Sequence, residues 1–328
     1  MQHLRVVFMG TPDFAVPTLQ ALIEGPHEVV GVFCQPDKAK GRGKKVQMPP
    51  VKEIALEANV PVFQPDTLKT EGIKECLHEL RPDIVVVVAY GKILPPWLIH
   101  QPQWGCINVH ASLLPAYRGA APIHWAILNG DTTTGITIMQ MDEGLDTGDI
   151  LVQTEIEIEP EETTGELFDR LALLGGSMIN EAIDGLVAGT VTATPQDNSC
   201  ATHTRKVTKD MGYLQWQEDA VVLARKIRGL SPSPGCVIFL NGKRLKIWKA
   251  YALTEAGVAH EFPGAQVGAV GTVIGINDNG FAVQTGNGVL AITEVQPENK
   301  KRMKAGDFCR GHQLKAGMVF DEQYAQSM

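Results

Sequence analysis

Six cysteines, Cys34, Cys76, Cys106, Cys200, Cys236 and Cys309, are scattered over 328 residues, and no two form a Cys-x-x-Cys pair. That absence removes the usual zinc and redox-motif readings and fits reduced thiols in a cytosol. No run approaches about 18 uncharged apolar residues, so no membrane span is expected. The first ten residues, MQHLRVVFMG, lack the longer apolar core and small-residue cleavage site of a secretory leader. No P-loop of the form Gly-x-x-x-x-Gly-Lys-Ser/Thr occurs. Gly10 in FMGTPDF stands without the two partner glycines of a dinucleotide fingerprint. A Gly-x-Ser-x-Gly nucleophile elbow is also missing, and there is no internal repeat.

What is present is ordinary in amount and uneven in distribution. Apolar residues make up 44% and charged residues 20%, and the length allows two domains. Residues 1–204 hold 13 Lys+Arg against 26 Asp+Glu, a net of −13; residues 205–328 hold 16 against 11, a net of +5. An acidic segment joined to a basic one suggests a polyanionic partner for the basic part.

The first part alternates strand and helix signals. LRVVFMG, EVVGVFC, PDIVVVVAYG and GCINVHAS read as strands, and TPDFAVPTLQALI, VKEIALEA, EGIKECLHEL and APIHWAILNG as helices. The four successive valines of the third strand suit a central parallel strand covered on both faces. TGITIMQM and GDILVQTEIEI follow as strands, and then a long amphipathic helix. The alternation predicts an open α/β sheet with crossover helices over 1–189. Residues 190–208 are polar and aperiodic and read as a linker. Residues 209–328 hold one helix and several short strands with hairpin turns such as LNGK and NDNG, the pattern of a small β-barrel.

Chemistry concentrates in CINVHASLLPAYR. Asn108 and His110 are two apart on a strand and therefore share a face. Downstream, MDEGLDTGDIL offers Asp142, Glu143, Asp146 and Asp149 in a Gly-rich loop. An amide and an imidazole can stabilise an oxyanion as a carbonyl becomes tetrahedral, and a carboxylate can orient the imidazole. Taken singly, Asn-x-His also suits a structural strand end, and DTGD also suits a plain turn. With no enzyme nucleophile in sight, the acceptor would bring its own, which points to direct acyl transfer.

The stretch GCINVHASLLPAYRGAAPIHWAILNGDTTTGITIMQMDEGLDTGDIL resembles the folate-dependent formyltransferase family. FMGTPDFAVPTLQAL, QPDKAKGRGKK and LARKIRGLSPSPG resemble the branch that acts on transfer RNA, so the likeness covers essentially the whole chain. The resemblance implies an open, mostly parallel Rossmann-like sheet followed by an OB-like barrel. It implies Asn108, His110 and Asp146 as catalytic residues. It implies folate contacts at Ser112, Leu113, Leu114 and Pro115, with Ala89, Tyr90 and Asp142 beside them. It implies 10-formyltetrahydrofolate as donor, initiator methionyl-tRNA as acceptor, no metal, and a cytoplasmic monomer. One departure is Gln215 before Trp216, where the family commonly has an acidic residue.

PDKAKGRGKKVQMPP gathers Lys38, Lys40, Arg42, Lys44 and Lys45 around Gly41 and Gly43. A charge run of this kind is compatible with a merely solvated loop. By resemblance it grips the tRNA acceptor stem, with Lys206 as a further tRNA contact. Further basic clusters stand at 225–228, 243–249 and 300–304. The rival readings are a hydrolase or small-molecule formyltransferase on the same core, and a non-catalytic nucleic-acid-binding protein.

Overall fold

The computed structural model of the chain describes residues 3–40 and 45–321. It divides into two compact units: Met1–Pro122 with Thr133–Glu157 and Leu167–Thr204, and Ile123–Thr132 with Ile158–Glu166 and Arg205–Met328.

The elements of the first part begin with β1 (Arg5–Gly10) and α1 (Val16–Glu24), whose Pro17 sits in the first turn, where a missing N–H costs no helical bond. β2 (Glu28–Phe33), the hairpin strands β3 (Lys38–Lys40) and β4 (Lys45–Gln47), α2 (Pro50–Glu57), β5 (Val62–Phe63), α3 (Glu71–Leu80) and β6 (Ile84–Val88) follow. Next come α4 (Pro96–His100), β7 (Cys106–His110), β8 (Arg118–Gly119), α5 (Pro122–Asn129), β9 (Thr133–Gln140), β10 (Ile150–Glu157), α6 (Thr164–Ala188) and β11 (His203–Thr204).

The main sheet runs β10-β9-β7-β6-β1-β2-β5. Pairing is parallel from β7 through β6, β1 and β2 to β5, and antiparallel for β7–β9 and β9–β10. All five residues of β6 are buried, as a strand covered on both faces requires. The antiparallel flank matters for the site. Gln140, at the end of β9, lies opposite Ile107 near the start of β7, so the loop that follows must fold back to reach His110.

Helix α6 has 25 residues and is long and apolar enough to cross a membrane, yet half of its most apolar stretch is buried inside the protein. Its cover on the sheet is close. A Cβ added at Gly175 would stand 2.8 Å from Val109 Cγ1, and one at Gly176 would stand 2.8 Å from the Pro17 carbonyl oxygen. Val109 lies between Asn108 and His110, so this face of β7 goes to core and leaves the other for polar side chains.

Residues 190–208, expected as a linker, are tied down as far as Thr204. Thr194 exchanges backbone hydrogen bonds with Ile150, and β11 pairs in parallel with β8. Periodicity did not disclose this, because the ties are single bridges and side-chain bonds rather than a regular element.

Besides most of α5, the second unit holds α7 (Ala220–Gly229), β12 (Cys236–Leu240), β13 (Lys243–Leu253), α8 (Glu255–Glu261), β14 (Val273–Ile276), β15 (Phe281–Gln284), β16 (Val289–Pro297), β17 (Met303–Lys304) and α9 (Ala305–His312). Its antiparallel sheet runs β12-β13-β16-β15-β14, with β17 beside β16. The predicted LNGK turn is there, with Asn241 and Gly242 at φ +51° and +72°, as a tight hairpin demands. The strands enclose an apolar core in which Trp216 stacks on Phe320 at 5.5 Å, and a smaller apolar cluster gathers Phe262, Ile274, Ala282 and Ala291. Helices α8 and α9 were not anticipated. Gln215 is exposed while its neighbour Trp216 is buried.

Candidate functional site

Cys106, Asn108 and His110 form one row along β7. Cys106 is covered: its thiol donates to the Leu98 carbonyl, and burial pushes its pKa up to about 12, so it is no nucleophile at neutral pH. Asn108 is half-buried and its side chain has no hydrogen-bond partner among the described residues. An amide left uncommitted beside a histidine is available to a ligand.

His110 is 7% exposed. Its Nε2 lies 3.0 Å from the Tyr117 carbonyl oxygen, which can only accept, so Nε2 carries a hydrogen and the ring orientation is fixed. Nδ1 lies 3.8 Å from Asp146 Oδ1, an ion-pair distance but beyond hydrogen-bond length. Nδ1 is therefore the ring atom with capacity to meet a developing charge. Asp146 keeps a left-handed backbone at φ +53°, and its Oδ2 accepts from the Gly119 amide at 2.8 Å. Thus the structure brings His110 and Asp146 together and places Asn108 on the same strand face.

The Ser-Leu-Leu-Pro turn is held from within. Ser112 is fully buried and its hydroxyl donates to the Ala116 carbonyl at 2.6 Å. Thr137 of β9 donates to the Ser112 carbonyl at 2.6 Å and accepts from the Leu114 amide at 3.1 Å. Gln153 of β10 donates to both the Leu114 carbonyl and Thr137 Oγ1, at 3.0 and 2.8 Å. Leu114 is buried, while Leu113 and Pro115 are half-exposed. What this turn presents outward is therefore apolar side chain and backbone, not the serine hydroxyl.

Ala89 is exposed at φ +47°, followed by buried Tyr90 and by Gly91 at φ +79°. The Tyr90 side chain goes into the core, 1% exposed, with its hydroxyl unpaired and its pKa pushed up to about 12 by burial. Its carbonyl accepts from Thr11 Oγ1 and Gln35 Nε2 at 3.2 and 3.1 Å. Tyr90 thus shapes the loop rather than offering a phenol. Asp142 is exposed, and its carboxylate closes its own loop by accepting from the Gly144 amide at 2.9 Å and Thr147 Oγ1 at 2.7 Å. Two large apolar side chains stand in solvent on these two loops, Ile93 at 93% and Leu145 at 63% exposure. Apolar side chains held in water beside backbone polar groups offer a surface to an apolar ligand.

Two residues that pattern reading missed organise the site. Arg118 is buried, and its Nε and Nη2 donate to Gln196 Oε1 at 3.0 and 2.8 Å. Gln196 Nε2 in turn donates to the carbonyls of Asp146 and Gly148 at 2.9 and 2.7 Å. A signal existed in the Arg of PAYRG, but Gln196 sat in the aperiodic stretch. Among the described residues, no group of three or more His, Cys, Asp or Glu could hold a metal ion.

The basic hairpin leaves the carboxyl end of β2 as β3 and β4, with Lys38 opposite Gln47 and Lys40 opposite Lys45. Lys38 is exposed. Arg42 and Lys44, with the side chains of Lys40 and Lys45, lie outside the described residues. At the hairpin's base Lys52 bridges Asp37 Oδ2 at 2.8 Å and Gln64 Oε1 at 2.7 Å. In the second unit Lys206 is exposed. There too Trp248 carries Lys246 Nζ 3.9 Å and Arg302 4.7 Å from its ring centre, and Arg244, Lys249, Lys300 and Lys301 are exposed. Crowded cations around an aromatic ring suit a phosphate-bearing partner.

Comparison with known proteins places these features. Residues 4–183 match the family model described as formyl transferase, and residues 206–313 match the formyl transferase C-terminal domain. A methionyl-tRNA formyltransferase of Syntrophus aciditrophicus is 46% identical over 97% of this chain and 99% of its own length. Among solved structures, an N-formyltransferase from Helicobacter canadensis, in complex with folinic acid and dTDP-3-aminofucose, aligns with a TM-score of 0.64 at 17% identity. That alignment covers 89% of this chain and 99% of the other. HypX from Aquifex aeolicus, in complex with tetrahydrofolic acid, aligns with a TM-score of 0.60 at 16% identity over 94% of this chain and 47% of its own. At such identities these two likenesses speak to the fold alone.

Proposed function

The chain belongs to the formyl transferase family, and from that membership we propose that it moves a formyl group from 10-formyltetrahydrofolate to the α-amino group of initiator methionyl-tRNA. The observation that carries the chemistry is the approach of Asp146 to His110, 3.8 Å apart, at the strand face that also bears the Asn108 amide, which has no partner among the described residues. The reading is supported from the other side by what is missing: Ser112 is buried and bonded, and Cys106 is buried and protonated. The acceptor amine supplies the nucleophile.

The neutral amine attacks the formyl carbon, and a C–N bond forms as the carbonyl oxygen takes negative charge. Asn108 donates to that oxygen, and His110 adds its charge or its Nδ1–H. Asp146 keeps the ring in place. The nitrogen of the attacking amine loses its proton while folate N10 gains one, and the bond from the formyl carbon to N10 breaks. Products are N-formylmethionyl-tRNA and tetrahydrofolate. The folate would lie against Leu113, Pro115, Ala89 and the Asp142 loop. Catalysis belongs to 1–189, and 209–328, joined to it by 190–208, adds tRNA-binding surface; Lys38, Lys40, Arg42, Lys44 and Lys45 of the first segment, with Lys206, bind the tRNA backbone as well.

The test is a formylation assay. The purified protein, given 10-formyltetrahydrofolate and charged initiator tRNA, should form N-formylmethionyl-tRNA with stoichiometric tetrahydrofolate. Release of formate without acceptor formylation would instead identify a hydrolase, and transfer to small amines alone would identify a small-molecule enzyme.

A further inference from the structure

Gln196 uses all four of its side-chain hydrogen-bonding positions. Oε1 accepts twice from Arg118, at 3.0 and 2.8 Å, and Nε2 donates twice, to the Asp146 and Gly148 carbonyls at 2.9 and 2.7 Å. Both side chains are buried, Gln196 8% and Arg118 4% exposed. The chemistry of the pair is unusual. A buried guanidinium is ordinarily neutralised by a carboxylate, which would also bind it more strongly. Here its acceptors are amide oxygens, Gln196 Oε1 and Asn198 Oδ1, the latter at 2.9 Å. Glutamate at 196 would serve Arg118 better, but it would turn an acceptor towards two carbonyls. An amide joins the cation on one side to carbonyls on the other, and that second side has a specific object. Asp146 has a left-handed backbone, a conformation uncommon for residues with a β-carbon and open to aspartate when local hydrogen bonds support it.

We propose that Gln196, locked by Arg118, is a positioning residue that holds the backbone of Asp146 in the left-handed turn that aims its carboxylate at His110. The Gly119 amide, 2.8 Å from Asp146 Oδ2, fixes the side chain from the same short strand that carries Arg118. Backbone and carboxylate of Asp146 are thus both referred to residues 118–119. The proposal rests on the reading of Asp146 as part of the formyl-transfer site.

Four variants decide it: Gln196→Glu, Gln196→Ala, Asp146→Asn and the double variant Gln196→Ala with Asp146→Asn. Each is measured for kcat, for KM towards both substrates and for melting temperature. Gln196→Glu keeps the Arg118 contact as a charge pair, which offsets the two lost donations to carbonyls, so it should stay folded with a melting temperature near that of the parent. Its kcat should nevertheless fall about 10–100-fold, the scale of a misplaced reacting group, with both KM values little changed. Gln196→Ala should lose kcat similarly, with a lower melting temperature. In the Asp146→Asn background Gln196→Ala should remove little more, because both changes disable one device. Parental kcat in Gln196→Glu would overturn the proposal, since the side chain would then merely satisfy Arg118. Independent, multiplicative losses in the double variant would overturn it too. If Asp146→Asn is itself fully active, the reading of the site fails along with the proposal; if Asp146→Asn is inactive and Gln196→Glu active, the positioning role alone fails.

Discussion

At the scale of single residues, the site is a set of decisions about which polar atoms are already spent. Ser112, Thr137, Gln153 and one nitrogen of His110 are committed to backbone partners. Asn108 is not, although it sits in the middle of a ladder between β6 and β9. Its side chain has no hydrogen-bond partner among the described residues, so truncating it removes no bond from the fold. Asn108→Ala should therefore fold as well as the parent, or better, while kcat falls about 10²–10³-fold, the usual loss for one oxyanion donor. Denaturant unfolding beside a single-turnover assay reads both; activity within a few-fold of the parent would remove Asn108 from the chemistry. The spacing of Asn108 and His110, two apart on a strand, is itself a geometric statement, whereas Asp146 was one of four acidic residues in its loop and was singled out by the family resemblance. Tyr90 and Ser112 show the limit. A motif places a residue near a site, but whether its side chain faces the ligand or the core depends on neighbours that spacing does not contain.

At the scale of elements, close backbone approach explains what propensity does not. A Gly–Gly pair in the interior of a helix costs about 1 kcal/mol per residue relative to alanine, yet α6 carries Gly175 and Gly176 at its buried side. Their absent side chains let α6 settle on Val109 and Pro17. Gly176→Ala sets two effects against each other. The gain in helix propensity is about 1 kcal/mol. The added Cβ would meet a backbone oxygen at 2.8 Å, which cannot rotate away as a side chain can. Overpacking costs about 1–3 kcal/mol, so the variant should be destabilised on balance. Gly72 in α3 has nothing within 4 Å of a built Cβ, so Gly72→Ala should shift the urea midpoint the other way. Equal shifts in the two would show that α6 does not depend on this contact. Period and length sufficed to find α6, β6 and β10 in the sequence. They could not find that β9 runs antiparallel to both its neighbours, β7 and β10, nor that 190–204 is bonded in place. Strand direction and single-bridge ties leave no period.

At the scale of the whole chain, charge is what sequence reports most directly, because it needs no conformation. The net of −13 over residues 1–204 and +5 over 205–328 sets two opposed terms acting on a polyanionic acceptor. Repulsion by the acidic part is long-ranged and is screened over about 10 Å at 0.1 M salt, so added salt weakens it and would raise affinity. Attraction at contacting cations works by release of condensed counterions, so added salt lowers affinity, with a log–log slope of about 0.7–0.9 per phosphate neutralised. The structure indicates which should win. Arg244, Lys249, Lys300 and Lys301 are exposed and form no ion pair among the described residues, whereas Arg302 is held by Glu294 and Arg310 by Asp278 and Asp307. Four unpaired cations at contact would cost about 10²-fold in affinity between 50 and 200 mM salt, more than relief of a distant, already screened repulsion returns. Binding of initiator tRNA, titrated across that range by filter retention, should fall steeply. Arg244→Ala with Lys301→Ala should flatten the slope by about two contacts while leaving tetrahydrofolate binding unchanged. A flat or rising salt response in the parent protein would mean that the acidic part governs the encounter and that the cations around Trp248 face something other than the tRNA backbone.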